Sequence, residues 1–157
     1  MITRREMIRT MAGSAAVVSQ LFAAMALAEA AEGGATDAGK APNPLASDKG
    51  VTVRPILQHE LPDAPGKQVS IVVVEFEPGA GNSPHRHPGS TVAYVLEGSV
   101  VSEVDPDKPV TYHAGQTWYE LPMHTHRVAR NASKTRKAKI LAVLISATGQ
   151  DLVLPPG

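Results

Sequence analysis

From Val51 onward the chain alternates short apolar, β-branched runs with clusters of turn residues. Val51–Arg54 and Ile56–Leu57 open the series. Val69–Phe76 is nearly continuous in β-branched residues, as in a buried strand. Glu77-Pro78-Gly79-Ala80-Gly81 breaks it. Val92–Leu96 predicts the next strand, closed by Glu97-Gly98, with Ser99–Val104 as its hairpin partner. Asp105-Pro106-Asp107-Lys108-Pro109 is a turn cluster. Val110–His113, Trp118–Leu121, His126–Ala129 and Lys139–Ser146 complete the strands. No amphipathic helical pattern and no internal repeat occurs after residue 50. Many short strands at this spacing predict an all-β sandwich or barrel over residues 51–157.

The first fifty residues follow other rules. Arg4, Arg5 and Arg9 precede an Ala-rich apolar run from Met11 to Ala28, and small residues follow at Ala26-Leu27-Ala28 and Ala28-Glu29-Ala30. That is the layout of a helical signal peptide over residues 1–30. The alternative is an uncleaved membrane anchor, since about 18 residues is the lower edge for crossing a bilayer. Thr3-Arg4-Arg5-Glu6-Met7-Ile8-Arg9 resembles the twin-arginine export pattern. That resemblance implies a periplasmic or secreted bacterial protein, off the membrane once cleaved. Residues 31–50, rich in Gly, Ala, Pro and Asp, read as a flexible linker.

Composition narrows the function classes. Of 157 residues, 43% are hydrophobic, enough for a packed core, and the formal net charge is zero. Without Arg4, Arg5, Arg9, Glu6 and Glu29, 12 basic residues face 13 acidic ones. A neutral chain argues against nucleic acid as a partner. There is no cysteine, which excludes disulfides, thiolate metal sites and cysteine nucleophiles. Metal chemistry must rest on His, Asp and Glu.

Six histidines are present: His59, His85, His87, His113, His124 and His126. In an extended segment, residues two apart share a face, so His85-Arg86-His87 aims two imidazoles at one point if the segment is a strand. A third nitrogen from a neighbouring strand completes one face of a metal. His126, after a proline-containing turn and opening an apolar run, is the candidate. His124 lies two before it and is either an additional ligand or a loop histidine at the barrel rim. His59 and His113 read as surface residues. Trp118 and Glu120 share one face by alternation and Tyr119 takes the other, with the inward face undecided. Trp118, Tyr94 and Tyr119 read as barrel core or rim. Arg127, Arg130, Lys134, Arg136, Lys137 and Lys139 read as a solvated basic stretch. Asn131 reads as a turn residue bonding backbone groups.

These residues resemble the cupin superfamily. Its first motif is Gly, five residues, His-x-His, three or four residues, Glu, six residues, Gly. Here Gly79, His85, His87, Thr91 and Gly98 stand at those spacings, with Thr91 in place of the acid. Gly115, Pro122, His126 and Asn131 match the second motif in order, with Met123 where a glycine is usual and two intervals one residue longer than common. The resemblance implies a double-stranded β-helix, or jelly roll, in many members a homodimer. It implies one divalent metal on His85, His87 and His126, with Fe, Mn, Zn, Ni and Cu all suited to imidazole. Thr91 is expected as an additional weak ligand or as the holder of a bound water. Without the acid, the site keeps a charge near that of the bare ion and open positions, the pattern of a catalytic metal. The function expected is a metal-dependent enzyme of dioxygenase, isomerase or lyase type. Its substrate would be a small oxygen-rich or anionic molecule. The alternative is a non-catalytic periplasmic cupin that binds metal and a small ligand as sensor or carrier.

Overall fold

The computed structural model describes residues 48–157. The signal peptide and nearly all of the 31–50 linker expected from the sequence lie outside the described residues. Asp48–Gly50, assigned to that linker, form a turn: Val51 N donates to the Asp48 carbonyl at 2.9 Å and Glu77 N to the Gly50 carbonyl at 2.8 Å.

Ten strands follow in order. They are β1 (Val51–Glu60), β2 (Lys67–Phe76), β3 (Gly81–Asn82), β4 (His85–Arg86) and β5 (Ser90–Glu97), then β6 (Ser99–Val104), β7 (Val110–His113), β8 (Thr117–Glu120), β9 (Thr125–Asn131) and β10 (Ala138–Ala147). One sheet runs β1-β2-β10-β5-β8 and the other β3-β9-β6-β7, with β4 also paired to β9. All of these pairings are antiparallel. The described residues contain no helix. This is the expected all-β double-stranded β-helix.

Alternation decides what each strand buries. On β10, Ala138, Ile140, Ala142, Leu144 and Ser146 point inward and the residues between them point out. Val72, Val74 and Phe76 of β2 meet them from one side, Ala93 and Val95 of β5 from the other. Gly98 makes the β5–β6 hairpin possible. Its φ is 72°, and a Cβ there would lie 2.7 Å from the Lys137 carbonyl oxygen, a fit only glycine allows. Pro55 sits on the edge strand β1, beside a register shift, where a missing N–H costs no ladder bond.

The outer face of the first sheet carries Val92, Tyr94, Tyr119 and Ile145, each exposed. Tyr94 and Tyr119 are therefore outside the barrel rather than in its core or rim, while Trp118 is buried. Between Glu103 and Val104 the β6–β9 register shifts. This inserts an extra residue into β9, so His126, Ala129 and Asn131 all face inward despite uneven spacing. Asn131 is fully buried and pins three segments. Its Nδ2 donates to the carbonyls of Phe76, Glu77 and Arg136, and its Oδ1 accepts from Ser133 N.

Candidate metal centre

Three imidazoles meet at one end of the barrel interior. β4 pairs with β9 so that His85 is the register partner of His126, and their ring centroids are 5.2 Å apart. His87 continues the extended segment. Arg86 makes both main-chain bonds to Leu154, and the His87 carbonyl accepts from Met123 N. The His85 and His87 rings thus fall on one side, with centroids 4.9 Å apart. One nitrogen from each of His85, His87 and His126 lies within 4.8 Å of the other two. Nitrogens bound to one ion at about 2.1 Å are at most about 4.2 Å apart, so a small contraction brings all three onto a common cation.

Hydrogen bonds settle which nitrogen the His85 and His87 rings present. His85 Nδ1 is 2.8 Å from the Ser83 carbonyl oxygen and His87 Nδ1 is 2.7 Å from that of Leu152. A carbonyl only accepts, so both Nδ1 atoms carry the proton and both Nε2 atoms keep a free lone pair. On His126, Nε2 is 2.9 Å from Ser102 Oγ, and Nδ1 is buried without a hydrogen-bond partner. Outer partners of this kind orient metal-binding histidines. Burial first, then neighbouring His87, hold His85 down to about 4 from its ordinary 6.5, so it is neutral at physiological pH. The residues present fit a divalent cation. They supply three imidazole nitrogens, one of them a buried atom with no hydrogen-bond partner.

Thr91 is 1% exposed, with Oγ1 unpartnered, and lines the same cavity. His124 is elsewhere. It precedes β9, so strand alternation does not apply to it, and its Nδ1 bonds the Asp105 carbonyl at 2.6 Å. The structure does not bring it to the cluster as an additional ligand. Met123, beside it, takes a left-handed φ of 66°, a conformation that the glycine usual in the motif would adopt freely. His59 and His113 are exposed.

Sequence reasoning missed Glu120. Trp118 and Glu120 do share one face, and it is the inner one; Tyr119 is outside. Glu120 is 4% exposed. Its Oε1 accepts from Trp118 Nε1 at 2.9 Å and lies 3.2 Å from His126 Nδ1, and its Oε2 is 3.6 Å from His87 Nε2. Burial pushes this carboxyl up. Adjacent His126, then His87, and the Trp118 N–H outweigh burial and bring it to about 2. A buried carboxylate thus lies beside the histidines, on the strand paired with the one that carries Thr91. The signal was the Trp-x-Glu alternation, unreadable until its inward face is known.

The cluster lines a cavity of about 460 Å³. Most of the other walls are apolar, including Val74, Phe76, Ile140, Leu144 and Leu152, with Asp48, Asn82 and Ser83 also lining it. The profile of the cupin domain family matches residues 72–144, a stretch that runs from β2 into β10 and carries all three histidines. The chain thus contains a cupin domain. A comparison with curated proteins finds no match in sequence. Solved structures share the fold of this cupin. An uncharacterised conserved double-stranded β-helix protein from Klebsiella pneumoniae is 17% identical, with a TM-score of 0.54 over 69% of this chain and 87% of that one. A cupin superfamily protein from Desulfitobacterium hafniense is 21% identical, with a TM-score of 0.50 over 69% and 93%. A recombinant oxalate oxidase in complex with glycolate is 22% identical, with a TM-score of 0.53 over 74% of this chain and 59% of the other. At these identities the likeness establishes the fold of this cupin.

Proposed function

We propose that this cupin is an exported metal-dependent enzyme of dioxygenase, isomerase or lyase type. Its substrate is a small molecule with an oxygen-donor head and an apolar body. The observation that carries the reading is the convergence of three imidazoles, from two separate stretches of chain, on a largely apolar cavity. A cavity of this size suits a small organic ligand. The oxalate oxidase holding glycolate supports an oxygen-donor head.

His85, His87 and His126 would hold the ion; the carbonyls of Ser83 and Leu152 keep the first two rings in their binding tautomer, and the Ser102 hydroxyl orients the third. A divalent ion there supplies Lewis-acid polarisation of a bound oxygen. Thr91 Oγ1, buried and unpartnered, is free to hydrogen-bond a ligand oxygen. The walls formed by Val74, Phe76, Ile140 and Leu144 exclude water from the rest of the ligand. Export rests on the twin-arginine-like Thr3–Arg9 segment and the apolar run behind it.

Turnover is tested by reconstituting the protein with Fe²⁺, Mn²⁺ and Zn²⁺ separately. Oxygen uptake and product NMR are then followed over catechols, flavonols, β-diketones and hydroxy acids. Metal-dependent conversion of one class, abolished in His85→Gln, is the expected result. Tight binding without product for every class would instead make the chain a carrier or sensor. Fractionation of expressing cells tests export, which fails if the chain stays in the cytoplasm with its N-terminus intact.

A further inference from the structure

The first cupin motif places a carboxylate at the position held here by Thr91. We propose that Glu120 supplies that carboxylate from β8, so that the metal reading above becomes three imidazoles and one carboxylate. The proposal rests on the metal-centre reading under Proposed function.

Register makes the exchange possible. Thr91 on β5 and Glu120 on β8 are direct partners. Both are buried and both line the cavity with the histidines. Directly opposed residues have Cβ atoms about 5 Å apart on one face of a sheet. Glutamate carries one more methylene beyond its Cβ before the carboxyl group. Glu120 can therefore bring its oxygens over the small Thr91 side chain to the space that an acid at 91 would fill. The long acid stands on β8 directly opposite the short hydroxyl on β5.

The contacts of the carboxylate point the same way. Oε1 is 3.2 Å from His126 Nδ1, a buried nitrogen with no other polar partner. Oε2 lies 3.6 Å from His87 Nε2, the nitrogen that Leu152 leaves without a proton. A carboxylate oxygen and an imidazole lone pair both seek positive charge. A cation shared between the two would satisfy both at this separation. Within the described residues, no lysine or arginine pairs with Glu120. A buried carboxylate without such a partner is costly unless it is neutralised or coordinates a metal. The one firm bond it accepts, from Trp118 Nε1, leaves Oε2 directed towards the histidines.

The test uses Co²⁺ as probe, with affinity from calorimetry and coordination from the visible spectrum, on the full chain. Glu120→Gln keeps an oxygen for Trp118 Nε1, and its melting temperature in EDTA checks that the fold is intact. Glu120→Gln is expected to weaken Co²⁺ binding at least about tenfold and to alter the visible bands. Thr91→Glu added to Glu120→Gln is expected to recover most of that loss, since it returns the charge from β5. Wild-type affinity and spectrum in Glu120→Gln would overturn the proposal. So would a loss that Thr91→Glu does not relieve, because the carboxylate would then only be holding the imidazoles in place. His126→Gln separates the two claims. If it alone loses Co²⁺, the histidine reading stands and the assignment of Glu120 falls. If it too binds like wild type, the metal centre itself fails.

Discussion

His87 Nδ1 donates to the carbonyl of Leu152 at 2.7 Å, across 65 positions of sequence. The C-terminal segment therefore serves both the cavity and the metal centre. The Leu152 side chain, 7% exposed, walls the cavity, while its carbonyl sets the tautomer of His87. Arg86 anchors the segment through main-chain bonds to Leu154 and an Nε bond to the Pro155 carbonyl. Ending the chain after Asp151 is expected to lower stability by about 2 kcal/mol from lost apolar burial. It is also expected to weaken metal binding about tenfold or more. Leu152→Ala, which keeps the carbonyl, is expected to lose stability alone. Urea unfolding and Co²⁺ calorimetry on both variants separate the two effects. Equal metal affinity in the shortened chain would remove the tail from the site.

Ser102 bears on His126 as Leu152 bears on His87. Its Oγ lies 2.9 Å from His126 Nε2, and both residues are buried. Ser102→Ala leaves the ring free to present either nitrogen. Metal affinity is expected to fall about 10- to 100-fold, with about 1 kcal/mol of stability lost with the hydrogen bond. Ser102→Thr, which keeps the hydroxyl, is expected to retain most of both. Calorimetry with Co²⁺ and unfolding in EDTA check the two parts.

Acid is expected to destabilise the metal-free protein in two stages. His85 is held down to about 4 in the folded chain from an ordinary 6.5. An unfolded chain therefore takes up this proton near pH 6.5 and the folded one only near 4. Stability that is complete above about pH 6.5 falls as the pH drops towards 4, by up to about 3 kcal/mol. Glu120, lowered from 4.5 to about 2, stabilises the fold above about pH 4.5 and gives up that stability as pH falls towards 2. Urea unfolding in EDTA between about pH 7 and pH 4 should show the first decline, and His85→Gln should flatten it. A level profile in the wild type would contradict the burial of an uncharged His85.

Much of this was legible from local rules. The eight longer strands follow from alternation and from the Gly, Pro and Asp clusters between them, because side-chain period and turn chemistry are properties of neighbouring residues. β3 and β4, two residues each, are too short to show a period. The His-x-His spacing still carried the shared face of His85 and His87. What stayed hidden is what depends on pairing. Glu120 needed the β5–β8 register, since Thr91 and Ala93 across the pair decide that Glu120 and Trp118 face inward. The C-terminal residues show no strand pattern, and their role comes from Arg86, 68 positions before Leu154. His124, read from the sequence as either an additional ligand or a loop histidine, lies in the turn before β9, where strand alternation has not begun.

Everything proposed about activity depends on His85, His87 and His126 closing on one ion. The direct measurement is the metal content of untagged protein by plasma mass spectrometry, as purified and after reconstitution, beside His126→Gln prepared identically. The account predicts about one divalent ion per wild-type chain, and little in the variant. Wild-type protein holding under about a tenth of an equivalent, with no uptake on reconstitution, would contradict it.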